Sequence, residues 1–166
     1  YDVAADTTKL ISLTTTNQLS TSGNPGYLSM SNTGRQITWT TSARLDPTLD
    51  TNSATDVYLY DLESASLTLV STFTYDGATQ HDSYNLGSYC SGISANGRFV
   101  SFASYSVNLV PGKNLYTIGE VYVHDMTSGE NIRVSVAANG DEASSGSPYS
   151  MYTDISDDGR YVVYSS

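Results

Sequence analysis

Positive charge is what this chain has least of. Its 166 residues hold seven Lys+Arg against seventeen Asp+Glu, a formal net charge of −10. Such a surface repels phosphate backbones and anionic headgroups, so nucleic acid and membrane surfaces are excluded as expected partners. Charge of either sign is scarce at 14%, where an ordinary soluble domain carries roughly a quarter. A single cysteine, Cys90, excludes an internal disulfide framework and any cysteine-rich metal site. Apolar runs stop at about four residues, as in Tyr161-Val162-Val163-Tyr164, so neither membrane insertion nor a signal peptide is read. There is no Asn-x-Ser/Thr acceptor, no Gly-x-Ser-x-Gly, no His-Glu-x-x-His and no phosphate-binding glycine loop.

Apolar material is sufficient for a core, with 39% hydrophobic and 11% aromatic residues, fourteen of them tyrosine. The length fits one domain or several small repeated units. A surface rich in Ser, Thr, Asn and Tyr and poor in Lys reads as extracellular or periplasmic. The first residue is Tyr1 rather than Met, which points to a processed product or an excised stretch.

The sequence repeats itself. Met30-Ser31-Asn32-Thr33-Gly34-Arg35, Ile93-Ser94-Ala95-Asn96-Gly97-Arg98 and Ile155-Ser156-Asp157-Asp158-Gly159-Arg160 superimpose at a period of about sixty residues. A second marker, Asp56-Val57-Tyr58-Leu59-Tyr60-Asp61, recurs as Glu120-Val121-Tyr122-Val123-His124-Asp125, and Tyr1-Asp2 matches its last two residues. A third ends ten residues past each aspartate, at Ser12, Ser71 and Ser135. Every marker alternates Val, Ile, Tyr, Phe and Thr at a period of two, which predicts strands and almost no helix. Glycine before each arginine supplies the positive φ of a hairpin connection. Strand a therefore runs into the glycine, strand b leaves it, strand c is the Val-Tyr segment, and strand d ends at the serine. Ile37/Val100/Val162 and Trp39/Phe102/Tyr164 are expected on one face of strand b, with Gln36/Phe99/Tyr161 on the other.

Four short antiparallel strands per repeat describe a β-propeller blade. The run Ile93–Phe102, then Asn108-Leu109-Val110-Pro111-Gly112, then Glu120–Asp125, then Arg133-Val134-Ser135-Val136, resembles the repeat of TolB-type, WD-repeat-like bacterial propellers. The resemblance implies an all-β propeller fold and no particular activity, because such blades serve as scaffolds, surface proteins and non-catalytic neighbours of peptidases. The blade pieces are expected at 1–22 (strands c and d), 23–80, 81–143 and 144–166 (strands a and b). That makes twelve strands, or about three blades.

Propellers close with roughly four to eight blades, so three leave open faces. The expectation is a non-enzymatic scaffold completed by further copies of itself, as a ring-closing homo-oligomer or a filament, or by the rest of a longer propeller chain. A glycan- or peptide-binding propeller and a non-catalytic part of a larger secreted enzyme are the alternatives. For a calcium ion the candidate oxygens are Asp50, Asn52 and Asp56 in the loop entering a strand c, and Asp154, Asp157 and Asp158 around the third turn. Against both stand ordinary Asx turns. Loop tyrosines at 75, 84, 89, 105, 116, 149 and 152 are candidate contacts for a protein or sugar. His124 occupies the slot of Tyr60 and reads as blade packing, His81 as a loop residue, and Cys90 as a small core residue. No catalytic residue and no cofactor is expected.

Overall fold

The computed structural model describes residues 1–20, 23–75, 78–81, 87–111, 119–137, 140 and 152–165, with the backbone alone for 73–75, 78–81, 90 and 91. The described residues are strands and turns without helix, and no helix is long and apolar enough to cross a membrane. Strands β1 (Pro25–Met30), β2 (Gln36–Thr41), β3 (Asp56–Asp61) and β4 (Ser66–Leu69) form one antiparallel sheet in chain order. A hairpin follows, β5 (Thr72–Tyr75) with β6 (Ala78–His81). The second sheet comprises β7 (Ser88–Ile93), β8 (Phe99–Ser104), β9 (Glu120–Asp125) and β10 (Glu130–Arg133), and β11 (Thr153–Ile155) pairs with β12 (Val162–Tyr164).

The two complete sheets share one register. Trp39 faces Tyr58 as Phe102 faces Tyr122, and Gln36 faces Asp61 as Phe99 faces Asp125. Both inner strands are bulged at the same place, between Gly26 and Leu28 and between Tyr89 and Ser91. Each cross-strand aromatic pair stacks, at 6.2 Å in the first sheet and 5.8 Å in the second.

Both faces of each sheet are apolar because each sheet is packed between neighbours. Val57, Leu59 and Val70 of the first repeat meet Val100, Phe102 and Tyr122 of the second in one core. The opposite face of the first sheet, with Trp39, Tyr58 and Leu69, packs on Leu45 and on Ile11 from the N-terminal segment. Burying side chains of this size stabilises by about 1.5–3 kcal/mol each. Strand β7 touches the first sheet and β11 touches β7 and β8. The series curves, because the first and third repeats also touch: Asn32 Nδ2 donates to Asp157 Oδ2 at 3.4 Å, and the Tyr27 and Tyr152 rings meet edge-on at 6.4 Å. Sheets fanned so that their first strands converge are propeller blades.

Two expectations need correction. Residues 1–20 contain no strand, only the bridges Asp2↔Thr7 and Leu13↔Leu19. The c–d turn itself is nonetheless built. Asp2 Oδ1 accepts the N–H groups of Ala4 and Ala5, just as Asp61 Oδ1 accepts those of Glu63 and Ser64. Four residues past each aspartate stands a positive φ, at Asp6, Ala65 and Gly129. Strand c pairs with strand b in the complete sheets; among the described residues no strand b lies beside this segment, and its pairing is the single Asp2↔Thr7 bridge. Leu10 is accordingly 53% exposed where its counterpart Leu69 is 3% exposed. Twelve strands are present among the described residues, but the set differs from the expected one: the β5–β6 hairpin stands in for the missing N-terminal pair.

Candidate functional site

The three Gly-Arg turns are built alike, bond for bond. Gly34, Gly97 and Gly159 have φ of 72, 73 and 73°, and each donates its N–H to the carbonyl of the serine three residues earlier, at 2.8, 2.9 and 2.8 Å. The same serines, Ser31, Ser94 and Ser156, accept through their hydroxyls from the N–H of Gln36, Phe99 and Tyr161, all at 3.0 Å. The side chain just before glycine caps the arginine N–H in every copy, from Thr33, Asn96 and Asp158. Thr33 thus does what Asn96 and Asp158 do in the other two copies, without altering the turn.

Successive turns nest. A Cβ added at Gly97 would lie 2.5 Å from the Gln36 side chain, and one at Gly159 would lie 2.4 Å from the Phe99 ring, whereas Gly34 has nothing within 4 Å. The Ala95 N–H donates to the Asp157 carbonyl at 3.0 Å across the second and third repeats. Glycine here serves two needs, a left-handed backbone and the close approach of the previous blade.

Each complete blade ties strand b to strand c with an ion pair. Arg35 Nε donates to Asp61 Oδ2 at 2.8 Å, and Arg98 donates to both Asp125 oxygens, at 3.1 and 2.7 Å. Arg35 also reaches Glu63. Burial opposes ionisation of Asp61, but the Ser64 and Glu63 N–H groups and Arg35 outweigh it and hold its carboxyl at about 2. For Asp125 the Arg98 hydrogen bond is the largest influence, and the result is again about 2. The Arg98 guanidinium lies 4.7 Å above the Phe99 ring, and that of Arg160 lies 5.2 Å above Tyr161.

The candidate calcium oxygens already serve the fold. Buried Tyr58 donates its hydroxyl to Asp50 Oδ2 at 2.7 Å, Asn52 Oδ1 accepts the Ala54 N–H at 2.6 Å, and Asp56 Oδ1 accepts the Ser71 hydroxyl at 2.6 Å. Burial, reinforced by Asp50, pushes the Tyr58 hydroxyl far above its ordinary value. Asp154 accepts its neighbour's N–H at Ile155, Asp157 meets Asn32, and Asp158 caps the third turn, where the Ser156 hydroxyl and the Arg160 N–H lower its carboxyl. Among the described residues no group of three or more His, Cys, Asp or Glu side chains is placed to share a metal ion.

Of the candidate contact tyrosines, Tyr84, Tyr116 and Tyr149 lie outside the described residues, as does the side chain of Tyr75. Tyr89 lies within β7 and meets Tyr105 edge-on at 6.3 Å, both half-buried, so these two are packing partners. Tyr152 is exposed and lines a cleft of about 470 Å³ with Tyr27, Leu28, Thr153, Val163 and Tyr164. Tyr27 sits at the β1 bulge with φ 34°, the kind of device that re-aims a side chain. Counting back seven residues from each turn glycine gives Tyr27, Cys90 and Tyr152, so this bulge position is a repeat position. His124 is buried and its Nδ1 lies 2.9 Å from Asn131 Oδ1, with burial lowering its pKa. His81 and Cys90 lie on β6 and β7, their side chains outside the description. The ion pairs and the nested glycines were missed by sequence reasoning, although both were signalled by Gly-Arg recurring with an aspartate at the end of strand c.

Nested turns, stacked aromatic pairs and a curved series of four-stranded antiparallel sheets define a segment of a β-propeller, about three blades long. Solved structures of similar fold include the β-propeller domain of the Trilobed protease from Pyrococcus furiosus, at 11% identity and TM-score 0.48, covering 86% of this chain and 34% of that one. TolB from Acinetobacter baumannii matches at 10% identity and TM-score 0.43, over 86% and 37%, and the tricorn protease at 17% and 0.44, over 85% and 11%. The chain thus spans about a third of the first two and a ninth of the last. No family model matches the sequence, and no curated protein is similar to it. The likeness concerns the fold, and the repeat remains TolB-like by resemblance.

Proposed function

We propose that this chain is a non-enzymatic propeller scaffold, extracellular or periplasmic, whose open blade faces are covered by further blades. These come from other copies of the chain, as a closed ring or a filament, or from the rest of a longer propeller. One observation carries the reading. Thr38 and Ser101 are 0% exposed beneath the next blade, while Val163, the same position in the third repeat, is 69% exposed. Tyr161 beside it is 65% exposed, and exposed apolar surface at a repeat position built for contact marks an interface. The Lys-poor, polar surface supports an exported location, and the buried, packed His124 supports a structural role for the histidine.

Light scattering at rising concentration tests self-association. A discrete dimer supports ring completion and very large particles support a filament. A concentration-independent monomer removes self-association and leaves cover by a longer chain. A second reading is favoured by the Tyr27–Tyr152 ring pair on the cleft, whose edge-on geometry presents aromatic surface suited to a sugar or peptide. Saturable quenching of tyrosine fluorescence by an oligosaccharide, lost in Tyr152→Ala, would support it, and unchanged fluorescence across a glycan panel would remove that ligand class.

A further inference from the structure

Asn-Gly occurs twice in the chain, at 96–97 and 139–140, and the first pair forms the second Gly-Arg turn. We infer that Asn96 is a covalent modification site, a deamidation site that the closed turn locks and turn opening releases, with aspartate as the product the fold accepts. The inference does not depend on what covers the open blade faces.

The chemistry follows from the dipeptide. The Gly97 amide nitrogen attacks Asn96 Cγ; the new N–Cγ bond closes a succinimide, the Cγ–Nδ2 bond breaks, and ammonia leaves with the Gly97 proton. Water then opens the ring at either carbonyl, giving aspartate or isoaspartate and one added negative charge. Glycine favours the first step because no side chain shields its nitrogen. Asn96 is exposed, so water reaches it. Both reacting groups are nonetheless held. The Gly97 N–H donates to the Ser94 carbonyl at 2.9 Å. Asn96 Oδ1 accepts from the Ser94 hydroxyl at 2.8 Å and from the Arg98 N–H at 3.0 Å, which fixes the carboxamide against Ser94 and Arg98. Cyclisation therefore requires the turn to open locally.

The third repeat already contains the product. Asp158 stands in the place of Asn96, and its Oδ1 accepts from the Ser156 hydroxyl at 2.7 Å and from the Arg160 N–H at 3.1 Å, the same two bonds. Gly159 keeps a φ of 73°, equal to that of Gly97. Aspartate at 96 can thus close the turn again. Isoaspartate inserts a methylene into the backbone before Gly97, where even a Cβ would lie 2.5 Å from the Gln36 side chain, so that product does not nest. The charge is added next to Ala95, whose N–H meets the Asp157 carbonyl at the joint of the second and third repeats.

The test incubates the whole chain in mildly alkaline buffer, folded and in urea, and follows each asparagine by peptide mass mapping with an isoaspartate assay. In urea Asn96 and Asn139 should react alike. Opening the turn gives up three hydrogen bonds, each worth about a fivefold change in population, so Asn96 should react about a hundredfold more slowly in the folded chain. Ser94→Ala removes one of the three and, where circular dichroism shows it folded, should speed the reaction about fivefold. Asn96→Asp should keep the wild-type circular dichroism and melting temperature. Equal rates at Asn96 in the folded and urea-unfolded chain overturn the lock, as does a folded Ser94→Ala chain that reacts no faster than wild type. An Asn96 that is inert in urea while Asn139 reacts overturns the site itself. An Asn96→Asp chain that melts well below wild type overturns the accepted product, and this readout stands even if Ser94→Ala does not fold.

Discussion

Replacing Gly34 and Gly97 by alanine, one at a time, separates backbone strain from blade stacking. Both glycines have the same φ within a degree and make the same hydrogen bond, so both variants share one term. Forcing an L residue into the left-handed region costs about 1–2 kcal/mol. Their surroundings differ: open space at 34, the Gln36 side chain 2.5 Å from the new Cβ at 97. Gln36 Oε1 accepts from the Ser31 hydroxyl at 3.0 Å, and its Nε2 donates to Asp61 Oδ2 at 3.1 Å. Making room for the methyl displaces that amide, and losing a hydrogen bond to a charged group costs about 1.5–3 kcal/mol. Gly34→Ala should therefore lose about 1–2 kcal/mol and Gly97→Ala about 2.5–5. Urea unfolding followed by the fluorescence of Trp39, buried in the first sheet, reads both losses. Truncating Gln36 to alanine removes the obstacle, so in the Gln36→Ala background the extra penalty at 97 should vanish. Equal losses for the two glycine variants would mean that the turns do not nest in solution, and the stacked-blade account would fall.

Acid should act through the strand-end aspartates. Asp61 and Asp125 titrate at about 2 in the folded chain, below the ordinary value near 4, so the stability they contribute is complete above about pH 4 and is lost as pH falls toward 2. Melting temperatures from pH 5 to 2 should drop less steeply in Asp61→Asn and Asp125→Asn. His124, whose pKa burial lowers, adds a milder loss that begins as pH falls below its ordinary value of about 6.5. His124→Tyr, which copies Tyr60, should flatten the melting profile between pH 7 and 5.5, and an unchanged slope would show that another group titrates there. Because Asp50, Asn52 and Asp56 are engaged by Tyr58, Ala54 and Ser71, calcium and chelator should leave the melting temperature where it is; a chelator-sensitive shift would assign these oxygens to an ion.

Strands, turns and faces were legible in the sequence because they follow from local rules. Alternation places Trp39, Phe102 and Tyr164 together, and the first two lie buried with their strand c tyrosines as expected. Gly-Arg recurrence located all three turns. What escaped was set by neighbours rather than by local pattern. Thr72-Phe73-Thr74-Tyr75 alternates like any strand, yet nothing in it says that it pairs with Ala78–His81 rather than with a blade. Tyr89 reads as a loop tyrosine but lies within β7 opposite Ala103, beside the bulge, whereas Tyr105 does lie just past β8, and only the fold brings the two rings together.

The N-terminal segment shows where sequence homology and structure part company. Residues 2–12 match 61–71 in spacing, in the Asx cap and in the positive φ four residues on, so everything encoded within about ten residues is realised. The extended pairing is not, because hydrogen bonds along a strand require a partner and no local propensity replaces one. Among the described residues no strand c lies beside Leu10 and no further sheet covers Val163, and both side chains are exposed. Both mark the same physical condition at opposite ends of the series: a blade is stable as a middle member, and its strand pattern specifies not only its own sheet but also the face of whatever lies beside it.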